Sequence, residues 1–369
     1  MFAGALAPRG RRHRRVASPL RLFATHGLLL LTIALVVVFS IALPSTFPTT
    51  FNIRSTLADL SVTAFVALAV TVPLAGAQYD LSVGNVLGLA SVLAVGLQVK
   101  EGMGWVPAVV LALMAGAVVG LMNGVLVAYL GVNSFIATLG VGTAVLGIVE
   151  WYTNGLQLAG SLPHAFLYLS NWSLFKVVPG ATVYLLVVAA AMWVVLEYMP
   201  IGRRLYAFGF NAKAAELVGV KTRRYIVGSL ALSGLLSAVG GVVLSSQLQA
   251  AQSTQGTDYL LPAFVGALLG ATSVRPGRVN VGGTVLAVLL LGVGISGLDQ
   301  MGASFYVSDL FDGGTLVLAV SIAAVAARRR LASMRSAAPS TGRDRGPAPG
   351  EKGRSEDAGY SRAAEVGMS

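Results

Sequence analysis

The stretch PIGRRLYAFGFNAKAAELVGVKTRR (Pro200–Arg224) decides how this chain is read, because it interrupts a sequence otherwise apolar enough to be membrane. Arg203, Arg204, Lys213, Lys221, Arg223 and Arg224 all fall within it. It also carries a miniature helix signal. Asn211 suits an N-cap, 212–217 are mostly good helix formers, and Gly219 suits the position just past a helix end, where the backbone turns left-handed. A two-turn helix is marginal alone in water, so this one is expected to rest on the rest of the protein.

Working outward, the 369 residues are 55% hydrophobic and only 11% charged, against about a quarter charged in a typical soluble domain. With many long apolar runs, this deficit predicts an all-α polytopic membrane protein. The chain has no cysteine, which excludes disulfides, thiolate metal sites, iron–sulfur clusters and cysteine nucleophiles. His13, His26 and His164 are too scattered to suggest a metal cluster.

The net charge of +11 follows topology rather than a nucleic-acid patch. Six of the 26 basic residues precede position 22, six lie in the 200–224 loop, nine follow Val325, and Arg275 and Arg278 share one short loop. Only Arg54, Lys100 and Lys176 remain. That asymmetry is the positive-inside pattern.

Spans of about 20 residues are expected near 22–43, 57–76, 82–99, 105–129, 134–151, 181–199, 225–247, 259–274, 280–298 and 311–327. Ten crossings put both termini in the cytoplasm, with the 200–224 and Arg275/Arg278 loops, and leave Arg54, Lys100 and Lys176 outside. The organisation expected is a basic tail over 1–21, a membrane domain over 22–327 and a disordered tail over 328–369. The spans near 82–99, 134–151 and 259–274 are short or Gly-rich, which predicts broken or partial crossings. The segment 152–180 is expected to form a small external cap. Glu150 and Glu197 stand at span ends, where water is available.

Glycines at four-residue spacing (Gly116, Gly120 and Gly124; Gly84 and Gly88; Gly266 and Gly270) read as helix-packing faces. Gly292-Val-Gly-Ile-Ser-Gly297 spells the dinucleotide pattern but lies inside an apolar span, so it is accidental. No Walker A, HExxH or GxSxG sequence occurs, so the chain is not expected to hydrolyse ATP or to be an enzyme. Asp80 follows one span and precedes another, together with Gln78, Ser82 and Asn85. It reads either as a cap or hinge or as part of a transport path. Asn123, Asn133, Ser134 and Thr138, around Phe135, read as interhelical hydrogen-bonding groups at membrane depth. Gln247, Gln249, Gln252 and Gln255 are either a solute-greeting surface or a wet helix end.

Together these stretches resemble the permease subunits of bacterial ribose/xylose/arabinose/galactose-type ABC importers. The resemblance rests on Asp80-Leu-Ser-Val-Gly84, on Gly120-Leu-Met-Asn-Gly124 with Phe135-Ile-Ala-Thr-Leu-Gly140, and on Gly202-Arg-Arg-Leu-Tyr-Ala-Phe-Gly-Phe-Asn211 followed by Ala214-Ala-Glu-Leu-Val-Gly219-Val. It covers about 25–327. Two departures stand out: Ser134 replaces the family's proline, and Ala271, Arg275 and Pro276 replace small residues or glycine.

The resemblance implies import of a monosaccharide such as ribose or xylose across the inner membrane. It implies a second permease copy or paralogue, membrane lipid, and a periplasmic or lipid-anchored binding protein. No cofactor is expected on this chain, since cytoplasmic ATPase subunits hydrolyse the ATP. Gly202, Arg203, Tyr206, Ala207, Gly209, Asn211, Ala214, Ala215, Glu216, Leu217, Gly219 and Val220 would be the ATPase-coupling loop. Phe208, Phe210, Leu217 and Val218 would offer its apolar face. Gln78, Asp80, Ser82, Asn85, Asn123, Phe135 and Thr138 are the candidate translocation path. Other small polar solutes (a branched-chain amino acid, a nucleoside, a quorum-sensing furanone) fit the same fold. An ion-coupled transporter would need paired intramembrane acids, and only Asp80 stands at suitable depth.

Overall fold

The computed structural model describes residues 19–318 and 321. The tails expected over 1–21 and 328–369 lie almost wholly outside the described residues, as do 319, 320 and 322–327 of the span expected over 311–327.

The first half contains α1 (Pro19–Ala42), α2 (Thr50–Ala75), α3 (Val83–Val99), α4 (Trp105–Ala128) and α5 (Ser134–Thr153). An outer segment follows: β1 (Leu158–Ala159), α6 (His164–Asn171), β2 (Ser173–Leu174) and β3 (Val178–Pro179). The chain continues through α7 (Gly180–Glu197), α8 (Pro200–Phe210), α9 (Ala212–Leu217) and α10 (Thr222–Leu248). After β4 (Ala250–Ala251) and a 3-10 turn (Thr257–Tyr259) come α11 (Leu260–Gly270), α12 (Val281–Gln300) and a last helix beginning at residue 306.

Among the described residues α2, α4, α5, α7, α10 and α12 are long and apolar enough to cross a membrane, and shorter apolar helices occupy the places of α1, α3 and Thr257–Gly270. The chain is an all-α polytopic membrane protein. The interruptions expected for 82–99 and 259–274 are present as short helices, but α5 is an unbroken 20-residue helix. Asn133 starts it by accepting the Phe135 N–H at 3.0 Å. Its glycines do not break it, because Gly142 is where Ser82 Cα and Asn85 Nδ2 come within 3.1 Å of a would-be Cβ.

α2 is the centre. Val62, Phe65, Val66, Ala67, Leu68, Ala69 and Val70 are all fully buried, so this helix is enclosed on every side rather than amphipathic. Lipid tails are as apolar as leucine, so burial gives little drive to associate here and close packing has to supply it. The glycine ladder on α4 does so against α10. A Cβ on Gly116 would stand 2.5 Å from Ala238 Cβ, one on Gly120 2.3 Å from Leu230 O, and one on Gly124 2.7 Å from Val227 Cα. The dinucleotide look-alike on α12 is likewise packing surface, with Gly292 against Leu60 and Gly297 against Phe39. Gly84 and Gly88 face not a helix but the irregular stretch between β4 and α11, at Gly256 O and Ser253 O.

The segment between α5 and α7 folds as a small cap on the helices. Phe166 of α6 is fully buried among Ala90, Ala112, Ala238 and Val242. Ser246 donates to Phe166 O at 2.8 Å, and β1 pairs with β4. Of the glutamines after α10, Gln249 and Gln252 are exposed and Gln247 and Gln255 are half-buried, so the stretch is a partly wet helix end. Gln249 takes a left-handed cap (φ 58°), Gln247 donates to Ala58 O at 3.3 Å, and Ser253 is buried.

Candidate functional site

The charged loop folds as two helices, where the sequence signalled only one. α8 begins with Pro200 at its first turn and buries Gly202, Leu205, Tyr206 and Phe208. Those four at i, i+3, i+4 and i+6 are a helical face, hidden in the sequence by the intervening arginines.

Each buried contact ties α8 to something specific. A Cβ on Gly202 would stand 2.2 Å from Leu196 O, and one on Gly209 2.3 Å from Ala75 O, so α8 lies directly on the ends of α7 and α2. Phe208 packs over Gly76. The Tyr206 hydroxyl donates to Val279 O at 2.9 Å, and Arg278 stands over its ring at 4.3 Å. Burial pushes the Tyr206 phenol up to about 12, so it keeps the proton it donates. Arg203 Nη1 donates to Tyr198 O at 2.9 Å, and the Ala207 carbonyl accepts the Asn211 N–H at 3.1 Å.

α9 has the caps the sequence predicts. Asn211 Oδ1 accepts the Ala214 N–H at 3.0 Å. At the other end Val220 N–H bonds Ala215 O at 3.0 Å and Gly219 N–H bonds Glu216 O at 2.9 Å, with Gly219 at φ +83°. That is a complete Schellman turn. Ala215 is buried beneath the helix. Glu216 faces back rather than out: its Oε1 accepts the Thr222 hydroxyl at 2.6 Å, fastening α9 to the start of α10. Phe210, Leu217 and Val218 are 75%, 89% and 80% exposed. Phe208 departs from expectation, since it belongs to the buried face.

Glu197 also departs from expectation. Its side chain is only 3% exposed and pairs with both Arg275 and Arg278, the latter at 2.5 Å. Arg275, one of the family departures, thus supplies one of two cations clamping the 271–280 loop to the end of α7. Nothing in a span-end glutamate announces this partnership.

α2 ends in its own Schellman turn, with Ala77 held left-handed at φ 53° and the Gln78 N–H on Pro73 O at 2.9 Å. Beyond it, 78–82 is irregular and runs among α4, α5 and α10. Ser134 Oγ accepts the Tyr79 N–H at 3.1 Å, and Thr138 Oγ1 accepts the Leu81 N–H at 2.9 Å. Asp80 Oδ1 accepts from Ser82 N at 3.0 Å and Ser82 Oγ at 2.6 Å. Ser82 Oγ in turn accepts from Asn123 Nδ2 at 2.9 Å. Asp80, Ser82, Asn123 and Thr138 are each fully buried.

The Ser134 departure has a use here, because a proline could not accept the Tyr79 amide. Asp80 Oδ2 makes no hydrogen bond, and Ser233, near the middle of α10, lies within its electrostatic reach but outside hydrogen-bond geometry. Asp80 therefore braces a buried turn, and α3 has no side-chain cap.

Of the remaining candidates, Asn85 is half-buried beside Gly142. Gln78 is half-buried and reaches only Gly76 O, at 3.4 Å. Phe135 is 49% exposed on another face of α5, apart from this network. Sequence reasoning missed Ser233, although serines at 229, 233 and 237 mark one buried face of α10. It also missed Asp312, a second buried acid, three residues after Asp309. No group of three metal-ligating side chains occurs among the described residues.

The family described as "Branched-chain amino acid transport system / permease component" matches residues 52–320. The ribose import permease protein RbsC of Bacillus subtilis (strain 168) is 35% identical over 286 residues, covering 78% of this chain and 88% of that protein. That of Escherichia coli (strain K12) is 33% identical over 301 residues, 79% and 91% of the two chains. The autoinducer 2 import system permease protein LsrD of Photorhabdus laumondii is 30% identical over 303 residues, 81% and 89%. No solved structure matches. The chain therefore belongs to the permease family of bacterial ABC importers, as a multi-pass inner-membrane protein serving a machine whose ATP is hydrolysed by a partner ATPase.

Proposed function

We propose that this chain is the membrane pore subunit of a monosaccharide importer, fed by a binding protein and completed by a second permease copy or paralogue. The 200–224 loop is its cytoplasmic receiver of the ATPase stroke. The observation that carries the second part is the contrast between the two loop helices: α8 is buried on the ends of α2 and α7, while α9 turns Leu217 and Val218 wholly outward. Exposed apolar residues on a pinned two-turn helix are the signature of a protein contact.

A push on α9 passes through Glu216–Thr222 to α10 and through α8 to the end of α2, where the buried 78–82 network begins. The buried polar residues are then the bracing beside the path, and the solute chemistry remains that of a small, uncharged polyol. A furanone of the autoinducer 2 type is the second solute reading, favoured by the LsrD relative.

Leu217→Ser with Val218→Ser tests the receiver, since both side chains are exposed and their loss leaves the packing untouched. In proteoliposomes with its ATPase and binding protein, the variant is expected to fold and insert normally but to lose solute-stimulated ATPase activity and ribose uptake together. Wild-type uptake would remove α9 from the coupling path. Uptake of the furanone but not of ribose by the unaltered importer would decide for the second solute.

A further inference from the structure

A cavity of about 830 Å³ opens between α7 and α10, floored by Val72 of α2 and ended by the α9–α10 turn. Most of its wall is apolar, with Val188, Met192 and Val195 on α7 facing Leu232 and Leu236 on α10. The end beside α9 is different. Arg204, Lys221 and Arg224 line it, all exposed, and the lining contains no aspartate or glutamate. Arg204 reaches only the neutral Tyr225 hydroxyl, at 3.5 Å. The acid of the same loop, Glu216, is held by Thr222 and does not line the cavity. Among the described residues the ion pairs belong to Glu197, so these three cations have no carboxylate partner.

One groove thus joins two unlike surfaces. Its α10 wall runs from Tyr225 to Leu236, about 17 Å of helix. Val188 and Leu236 are mid-helix positions, so the dry part lies at bilayer depth, beyond the reach of a soluble subunit. The cationic part stands at the helix ends, at headgroup level. An amphiphile with a single anionic end and a long apolar tail complements both parts, and the membrane itself supplies it.

We propose that the groove binds one anionic phospholipid, with its phosphate among Arg204, Lys221 and Arg224 and an acyl chain between α7 and α10. This goes beyond the import function and depends on the orientation proposed above only in naming the leaflet as cytoplasmic. Arg204 belongs to α8, while Lys221 and Arg224 flank the start of α10, so the headgroup would bridge the two sides of α9.

The full-length chain, delipidated in a neutral detergent, is titrated with phosphatidylglycerol, phosphatidylcholine or inorganic phosphate while its thermal unfolding is followed. Phosphatidylglycerol is expected to raise Tm saturably, and the other two to have little effect. Lys221→Gln with Arg224→Gln is expected to weaken apparent phosphatidylglycerol affinity about 30-fold, at the usual worth of a basic residue against an anionic lipid. Gly228→Phe blocks the tail from an open position, where no atom lies within 4 Å of a would-be Cβ. It is expected to abolish the shift without lowering the lipid-free Tm.

Equal shifts with phosphatidylcholine or with free phosphate, or wild-type affinity in the charge variant, would overturn the site. So would a photo-crosslinker at 228 that captures the ATPase or a second permease copy in place of lipid. The readout is binding to the isolated chain, so failure here leaves the import reading intact and failure of import leaves this result intact.

Discussion

Gly219→Ala isolates the contribution of one backbone turn. Gly219 holds φ +83°, and nothing lies within 4 Å of where a Cβ would stand. An alanine there meets no neighbour, so the whole effect comes from forcing an L-residue into the left-handed region, about 1–2 kcal/mol. The global fold barely feels it, because the turn caps only the six residues of α9. The local opening of that helix does feel it, and about 1–2 kcal/mol makes its docked form about 5- to 30-fold less favoured over the frayed one.

Hydrogen exchange reads this directly. The Gly219 and Val220 amides, bonded to Glu216 O and Ala215 O, are expected to lose protection by that factor, while amides in α10 and α2 keep theirs. Transport by the assembled importer is expected to fall with no change in insertion. Gly219→Asn, which tolerates the left-handed region better, is expected to recover much of both. Unchanged exchange at Val220 in the alanine variant would mean the Schellman turn does not limit α9. Lost protection with full transport would mean an ordered α9 is not needed for coupling.

Two further substitutions test the interior. Asp80→Ala strips the acceptor from the Ser82 amide and hydroxyl and is expected to cost about 1–3 kcal/mol of stability, whereas Asp80→Asn keeps an oxygen in place and is expected to cost less. Equal thermal shifts for the two would show that the Oδ1 bonds are not what Asp80 contributes. Gly120→Ala puts a methyl within 2.3 Å of Leu230 O and is expected to destabilise by about 1–3 kcal/mol as α4 and α10 are forced apart. Gly147→Ala, with nothing within 4 Å, is its silent control in the same unfolding assay.

What was legible in the sequence follows from which signals are local. Apolar run length gave the helices, and the caps of α9 could be read because Asn211 and Gly219 each act through their own backbone. The glycine spacing on α4 announced a packing face but not its partner, since α10 begins almost a hundred residues later. α8 was not legible because five of its residues (Gly202, Arg203, Arg204, Ala207 and Gly209) are cationic or small and its buried face is completed only by the ends of α2 and α7. Glu197 could not be assigned for the same reason: its partners, Arg275 and Arg278, arrive from another loop.

Two irregular segments are each held by a long-range polar contact. Ser134 accepts the Tyr79 amide and Arg275 joins Arg278 on Glu197. Each contact fixes an irregular segment that a helix cannot hold by its own hydrogen bonds. The first holds 78–82 to α5; the second holds 271–280 to α7, with Tyr206 of α8 gripping the same loop through Val279. The second segment meets α8 at Val279, while the chain before the first meets it at Ala75 and Gly76, the end of α2. α8 therefore rests on the end of α2 and on one braced irregular segment.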